Sequence, residues 1–330
     1  MKPIAGVSLD LDNQWSYMKT HGETGWEAFP SYLDIVVPRV LEFMEERGLK
    51  ITFFVVGQDA ALEKNRKALS MIAEAGHEIG NHSFHHEPWL HLYDDEEVEK
   101  EISRAEDAIE EATGVRPIGF RGPGFSVSET VLTVLKRRGY HYDASTFPTY
   151  LGPLARAYYF MTTHLSDEEK EKRKTLFGTL REGRRPLKPY LWRLDPGPLV
   201  EIPVTTFPVF RTPIHASYLL YLAKFASPVA SIYWKSALRA CKFTGVQLSL
   251  LLHPLDFLGG DDTDALSFFP AMSIPSTVKM KRLSSYLQAL CDRFTVLNMR
   301  EHAERVLQSN PPTVDPVFRQ WKTSGKVGRE

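Results

Sequence analysis

Two hydrophobic rhythms alternate along this chain. Short apolar runs are separated by longer stretches in which apolar residues recur every three or four positions. The runs "IAGVSLDL" from residue 4, "KITFFVVG" from residue 50 and "VQLSLLLH" from residue 246 read as strands buried on both faces. Shorter runs of the same kind are "HEIGNHS", "IGFR", "YHYDAS", "VEIPVT" and "FTVLN". Between them the spacing turns helical. "SYLDIVVPRVLEFMEERG" predicts a helix with Ser31 as N-cap and Gly48 as its stop. Further helices are predicted through "AALEKNRKALSMIAEAG", "DDEEVEKEISRAEDAIEEATG" and "SETVLTVLKRRG", and near 216–243 and 277–291. Strands and helices in strict alternation predict an α/β fold with a parallel sheet or barrel.

The alternation is broken once. Residues 150–197 lack strand character and read as an insertion over one face of a single unit spanning 1–310. The region 216–243 is expected beside the mouth, and 311–330, rich in Pro and Gly, reads as a C-terminal tail. The most apolar window, 216–234, contains Lys224 and Pro228. A membrane-spanning helix needs roughly 20 apolar residues, so a buried or interfacial helix is the reading. No apolar run of signal-peptide length opens the chain, and its two cysteines, Cys241 and Cys291, match no metal spacing. A cytoplasmic, reducing setting is therefore expected. A net charge of −1 gives no electrostatic case for a nucleic-acid partner. Nothing in the chain indicates an oligomeric state.

Residues capable of chemistry gather at strand ends. Asp10 and Asp12 close the first strand, two apart, and so share a face. "NHSFHH" closes the third with His82 and His86, "FRGPG" brings Arg121 after the fourth, "YDAS" brings Asp143, and "LLLHPLD" brings His253. In a parallel barrel the loops after the strands surround one mouth, so these seven residues are expected to converge. Two imidazoles and a carboxylate make a three-ligand metal site with a position left open. A second carboxylate can take a proton, an Arg can hold that carboxylate out of the ligand sphere, and a distal His can protonate a leaving amine. His85, His91 and His215 read as surface or supporting residues, and Asp256, three after His253, is a candidate acid to partner it.

The ordered set D-x-D, H-S-x-x-H, R-x-P-G, D-x-S and L-x-H resembles the polysaccharide deacetylase superfamily (NodB homology, carbohydrate esterase family 4), over about 1–145 and 245–300. The resemblance implies a distorted (β/α)7-type barrel and a hydrolase acting on non-peptide C–N bonds. It implies that Asp12, His82 and His86 bind one divalent metal, zinc first, with cobalt, nickel or manganese as substitutes. Asp10 would be the general base, Arg121 its orienting partner, His253 the general acid, Asp143 its tuning residue, and the Gly124 N–H an oxyanion donor. The spaced Asp10-Leu11-Asp12-Asn13 resembles the intracellular branch, whereas extracellular members have adjacent aspartates. Gly124 stands where the family has an aromatic residue, so Phe125 or Trp15 is expected to offer the stacking ring.

Residues 155–193 contain ten Lys or Arg and five acids, an excess of five positive charges. A solvated helical hairpin is the plain reading; the functional one is a cap, with Arg184 and Arg185 among its basic residues, that holds a phosphate or rests on an anionic membrane surface. The expectation is an amidohydrolase that removes an N-acetyl or N-formyl group from a lipid- or nucleotide-linked amino sugar in glycoconjugate assembly. An allantoinase-like hydrolase of cyclic amides and a non-catalytic carbohydrate-binding relative are the alternatives.

Overall fold

Ile4–Leu11 forms β1, the strand on which the rest is assembled; seven of its eight residues are buried. The structure is a computed structural model and describes residues 2–154, 157 and 180–318. Apolar residues on both faces demand cover on both sides: helices supply it outside, and side chains such as Phe54, Tyr142 and Val200 pack together inside. The remaining strands are β2 (Thr52–Val55), β3 (Glu78–Asn81), β4 (Gly119–Phe120), β5 (Tyr142–Asp143), β6 (Tyr190–Trp192), β7 (Leu199–Glu201), β8 (Leu248–Leu252), β9 (Thr295–Leu297) and β10 (Thr313–Val314). They form one sheet in the order β10-β6-β7-β5-β4-β3-β2-β1-β8, with β9 on the N-terminal half of β1. All pairings are parallel except β6 with β7.

The sheet is curled, as expected of a distorted α/β barrel. Its two sides meet after β7, where Thr205 N–H donates to the Ser249 carbonyl at 3.1 Å. Ser249 N–H returns a bond to Thr205 Oγ1 at 2.7 Å. Helices α1 (Gln14–His21), α2 (Leu33–Glu45), α3 (Gly57–Ala60), α4 (Glu63–Glu74), α5 (Asp95–Thr113), α6 (Glu129–Arg137), α7 (Ala216–Thr244), α8 (Ser276–Cys291) and α9 (Met299–Gln308) surround it. The main core joins β1, β2 and β8 to the inner faces of α2, α4, α7 and α8 through residues such as Val36, Phe53, Trp234 and Leu287. Each fully buried side chain of this kind contributes about 1.5–3 kcal/mol.

Three expectations need correction. Helix α2 is capped at Tyr32, with Ser31 Oγ accepting the Leu33 N–H at 3.3 Å. The region 150–197 does contain a strand, β6, which forms an antiparallel hairpin with β7. Three residues give too short an alternation to be seen in sequence. Part of the tail, Thr313–Val314, is a strand paired with β6. The basic run of the insertion, from Arg156 through Lys174, and the stretch 319–330 lie outside the described residues. No helix among the described residues is long and apolar enough to cross a membrane.

Candidate metal and hydrolytic site

Parallel register places the chemical residues side by side at the strand ends. Leu9 pairs with Leu252, so Asp10 and His253 follow at neighbouring positions. Asn81 pairs with Phe120, so His82 and Arg121 do likewise, and Asp143 pairs with Glu201. Asp12, His82 and His86 each offer a ligand atom, and these atoms lie within 4.8 Å of one another. Nε2 of His86 is 3.0 Å and Nε2 of His82 3.3 Å from the same Asp12 Oδ1. The Nδ1–H of His82 donates to the Arg121 carbonyl at 2.6 Å. That bond fixes the tautomer and turns the lone pair of Nε2 toward Asp12. Two imidazole nitrogens and one carboxylate oxygen, oriented in this way, fit a divalent metal of the zinc type.

The loop that carries the histidines is held in an unusual backbone conformation. Ser83 and His86 both have positive φ, 61° and 54°, as does Phe125 at 63° in the facing loop. Non-glycine residues in this region are uncommon and gather at functional loops. Asn81 holds the first of these turns, its Oδ1 accepting the Ser83 N–H at 2.8 Å. His85 is tied to Glu101 and His91 to Ser126, the latter at 2.8 Å, so both support the loops and stand outside the cluster. Burial disfavours charge on Asp12, but His86 beside it, together with the close contact of His82, prevails and holds its carboxyl well below the usual range. Burial would lower the pKa of His82, and the carboxylates of Asp10 and Asp12 reverse this and raise it.

Arg121, fully buried, ties three strands together. Its Nη1 donates to Asp10 Oδ1 at 2.7 Å and to Ser8 Oγ at 2.8 Å, and its Nε donates to the Ala144 carbonyl at 2.9 Å. The guanidinium lies over the Phe54 ring, 4.5 Å from its centroid. Asp10 is thereby drawn into an ion pair apart from the cluster around Asp12. His253 is half-buried and its Nδ1 is 3.0 Å from Ser217 Oγ, while its backbone N–H donates to Asp256 at 2.8 Å.

The structure corrects three roles. The side chain of Asp143 engages Ser145 and Glu201, and His253 takes Ser217 as its ring partner. Burial first, then the nearby Asp143, pushes the Glu201 carboxyl well above the usual range. Asp143 Oδ2 meets no N–H or hydroxyl donor among the described residues, and the Glu201 carboxyl is the neighbour that hydrogen-bonds to the Asp143 side chain. Trp15 is 1% exposed, with its Nε1–H on Asp59 Oδ1 at 2.9 Å, and cannot offer its ring at the mouth. Arg185 pairs with Glu182 and lies over Trp192 and Phe318, so it is a packing residue of the β6 hairpin; Arg184 is exposed.

Gly124, at φ 59°, and half-buried Phe125 form the loop after β4. Phe125 opens a row of rings: Phe147 at 4.7 Å from it, His215 at 6.0 Å from Phe147, and His253 at 6.1 Å from His215. Burial, then the nearby His253, pushes His215 down to about 3, so this ring is neutral. The sequence reading missed Ser8, Tyr17, Phe54, Glu201 and Ser217. Tyr17 hydrogen-bonds to the Asp12 carboxylate. Ser8, two before Asp10 on the same strand face, and Glu201, a lone acid in an apolar run, carried a signal; Ser217 carried none.

A family model described as polysaccharide deacetylase matches residues 25–142, the span with His82, His86, Arg121, Gly124 and Phe125. A peptidoglycan deacetylase-like protein of Gibberella zeae is 30% identical over 150 residues, 44% of this chain and 44% of its own. The peptidoglycan deacetylase of Helicobacter pylori is 29% identical over 147 residues, 42% of this chain and 47% of its own. The match thus spans less than half the length of these curated relatives. Over 98% of this chain and 96% of the other, the fold is similar to a Mycobacterium smegmatis crystal structure classed with the polysaccharide deacetylases, at TM-score 0.62 and 20% identity.

Proposed function

We propose that this chain, which resembles the polysaccharide deacetylase (NodB-homology) superfamily, is a divalent-metal-dependent amidohydrolase that removes an N-acetyl or N-formyl group from an amino sugar. The observation that carries this reading is the pairing of two separate acidic functions at one strand end. Asp12 sits with two imidazoles, and Asp10 sits with a buried arginine. A carbohydrate-binding relative would have no use for the second arrangement.

A metal held by Asp12, His82 and His86 would supply Lewis-acid polarisation of the amide carbonyl. The residues of the chain do the rest. Asp10, fixed by Arg121, accepts the proton of the attacking water as its oxygen bonds to the carbonyl carbon. The Gly124 N–H is the donor proposed to face the developing oxyanion. With Nδ1 of His253 engaged by Ser217, Nε2 is the nitrogen that gives a proton to the amine as the C–N bond breaks. The products are the carboxylic acid and the free amino sugar. Phe125 and Phe147 supply a ring surface for the sugar beside His253. The finer substrate, a lipid- or nucleotide-linked amino sugar, rests on the basic residues of the insertion and on the intracellular D-x-D form.

Metal analysis together with acetate and formate release from a panel of amino-sugar conjugates tests the reading. His82→Ala is expected to lose the metal. Asp10→Asn is expected to keep it and to lose roughly 10²–10⁴-fold in turnover. Loss of metal in Asp10→Asn, with Asp12→Asn still metallated, would reverse the two roles.

A further inference from the structure

Helices α7 and α8 pack side by side, with Trp234 Nε1–H donating to the Tyr286 carbonyl at 3.0 Å. Their charge is one-sided. Helix α7 carries Lys224, Lys235, Arg239 and Lys242, α8 carries Lys279, Lys281 and Arg282, and neither has a single acid. The outer side of α7 is also apolar: Phe225, Val229 and Ile232 are 70%, 52% and 65% exposed, and Phe243 is 92% exposed. Exposed large apolar side chains on a cationic helix without acids mark a surface that lies against something apolar and negative.

Between the two helices is a cavity of about 600 Å³, lined by Ser227, Ser231, Thr277, Lys281, Arg282 and Tyr286 among others, with no carboxylate. It adjoins the break in α7, where Ala226 leaves helical geometry at φ −152° and Pro228 follows. Two donors there have no acceptor among the described residues. One is Arg282 Nη1, and the other is the hydroxyl of Tyr286, a residue only 4% exposed. Buried donors of this kind call for an acceptor, and a cation beside hydroxyls favours an anionic one.

We propose that this cavity receives the phosphate of an anionic phospholipid while the outer side of α7 rests in the membrane interface. A phosphate offers several acceptor oxygens to Arg282, Lys281 and the Tyr286 hydroxyl. The apolar side chains beside the cavity argue for a lipid source, since a soluble phosphate has no use for Phe225 or Ile232. No described helix is able to cross a bilayer, so the contact is one of lying on the surface. None of these residues belongs to the hydrolytic site, and the inference stands or falls separately from the proposed activity.

Co-sedimentation of the full chain with vesicles tests it. One set contains phosphatidylglycerol and phosphatidylcholine in equal parts, the other phosphatidylcholine alone. The expected result is binding to the first set only, weakened by salt. Arg282→Gln and Lys281→Gln should each weaken it about fivefold. Tyr286→Phe, which removes one hydroxyl and leaves the packing, should weaken it as well, and so should Phe225→Ser with Ile232→Ser. Circular dichroism should be unchanged in every variant. Equal binding to both vesicle sets, binding to neither, or wild-type binding by Arg282→Gln would overturn the proposal. An Arg282-dependent rise in Tm with inorganic phosphate, without vesicle binding, would overturn it too, by assigning a soluble-phosphate site.

Discussion

Asp59 lies behind the metal cluster and shows how a single buried carboxyl couples the site to pH. Its Oδ1 accepts from Asn13 Nδ2 at 2.7 Å, Trp15 Nε1 at 2.9 Å and Asn65 Nδ2 at 3.2 Å, while Oδ2 has no donor among the described residues. Burial raises the carboxyl to about 7, against the pull of the Asn13 and Trp15 bonds. The folded state therefore binds this proton more tightly than the unfolded chain does. The stability it contributes is fully present below about pH 4 and is lost as pH rises toward 7. The interval from 3.8 to about 7 corresponds to roughly 4 kcal/mol. Asp59→Asn can keep all three bonds to Oδ1 and cannot ionise. Urea unfolding should show a flatter fall in stability between pH 4 and 7 for the variant; parallel curves would refute the assignment. The placement of Asp59 was hidden in the sequence, whereas the gathering of Asp10, Asp12, His82 and His86 at the strand ends was legible. The latter four occupy strand ends, where local pattern dictates position. The burial of Trp15 depends on Asp59 and on Phe29, 5.2 Å away ring to ring, and so on contacts remote in the chain.

At the scale of elements, Arg121 does for β1, β4 and β5 what backbone hydrogen bonds alone do weakly. Strands β4 and β5 have only two residues each, and the guanidinium reaches Ser8 and Asp10 on β1 and the carbonyl after β5. Arg121→Met would keep an apolar stem against Phe54 and leave Asp10, 4% exposed, without its cation. Removing one partner of a buried pair costs about 3–5 kcal/mol. Ser8→Ala, which removes one hydroxyl acceptor, should cost about 1 kcal/mol. Denaturant unfolding of both variants checks the order, and equal losses would show that the charge pair is not what ties these strands. Element length also decided what could be read from the pattern. The runs at β1, β2 and β8 were plain because several consecutive apolar residues sit between the outer helices and the barrel interior. Strand β6, with three residues, and β10, with two, fall below any periodicity and owe their existence to the strands they pair with, β6 to β7 and β10 to β6. Helix α1 has almost no amphipathic pattern; it is set instead by the Asn13 cap, whose Oδ1 accepts the Gln14 N–H at 2.8 Å, and by Gly22 at φ 88°.

For the molecule as a whole, the far edge of the sheet is closed by residues remote in sequence. The chain returns after α9 to lay β10 against β6: Leu191 N–H donates to the Pro312 carbonyl and Arg193 N–H to the Val314 carbonyl, both at 2.9 Å. Phe318 then covers Trp192, with ring centroids 5.5 Å apart, and sits under the Arg185 guanidinium at 4.6 Å. Trp192 in turn donates to Glu201 at 2.8 Å, and Glu201 supports Asp143 at the strand ends. A continuous path of contacts thus leads from the C-terminal segment to the edge of the site. A chain ending at residue 310 would lose two backbone hydrogen bonds at about 1 kcal/mol each and an aromatic contact of about the same size. The sum, about 3 kcal/mol, should lower Tm by roughly 5 °C. Trp192, now fully buried, should become exposed and shift its emission to the red, a change absent when Trp192→Phe is made in the same shortened chain. The Asp12–His82–His86 cluster lies in another part of the sheet order, just after β1 and after β3, so metal content should be unchanged. A shortened chain with wild-type Tm and unshifted emission would show that β10 and Phe318 do not hold this edge; loss of metal would show that the edge governs the centre of the site.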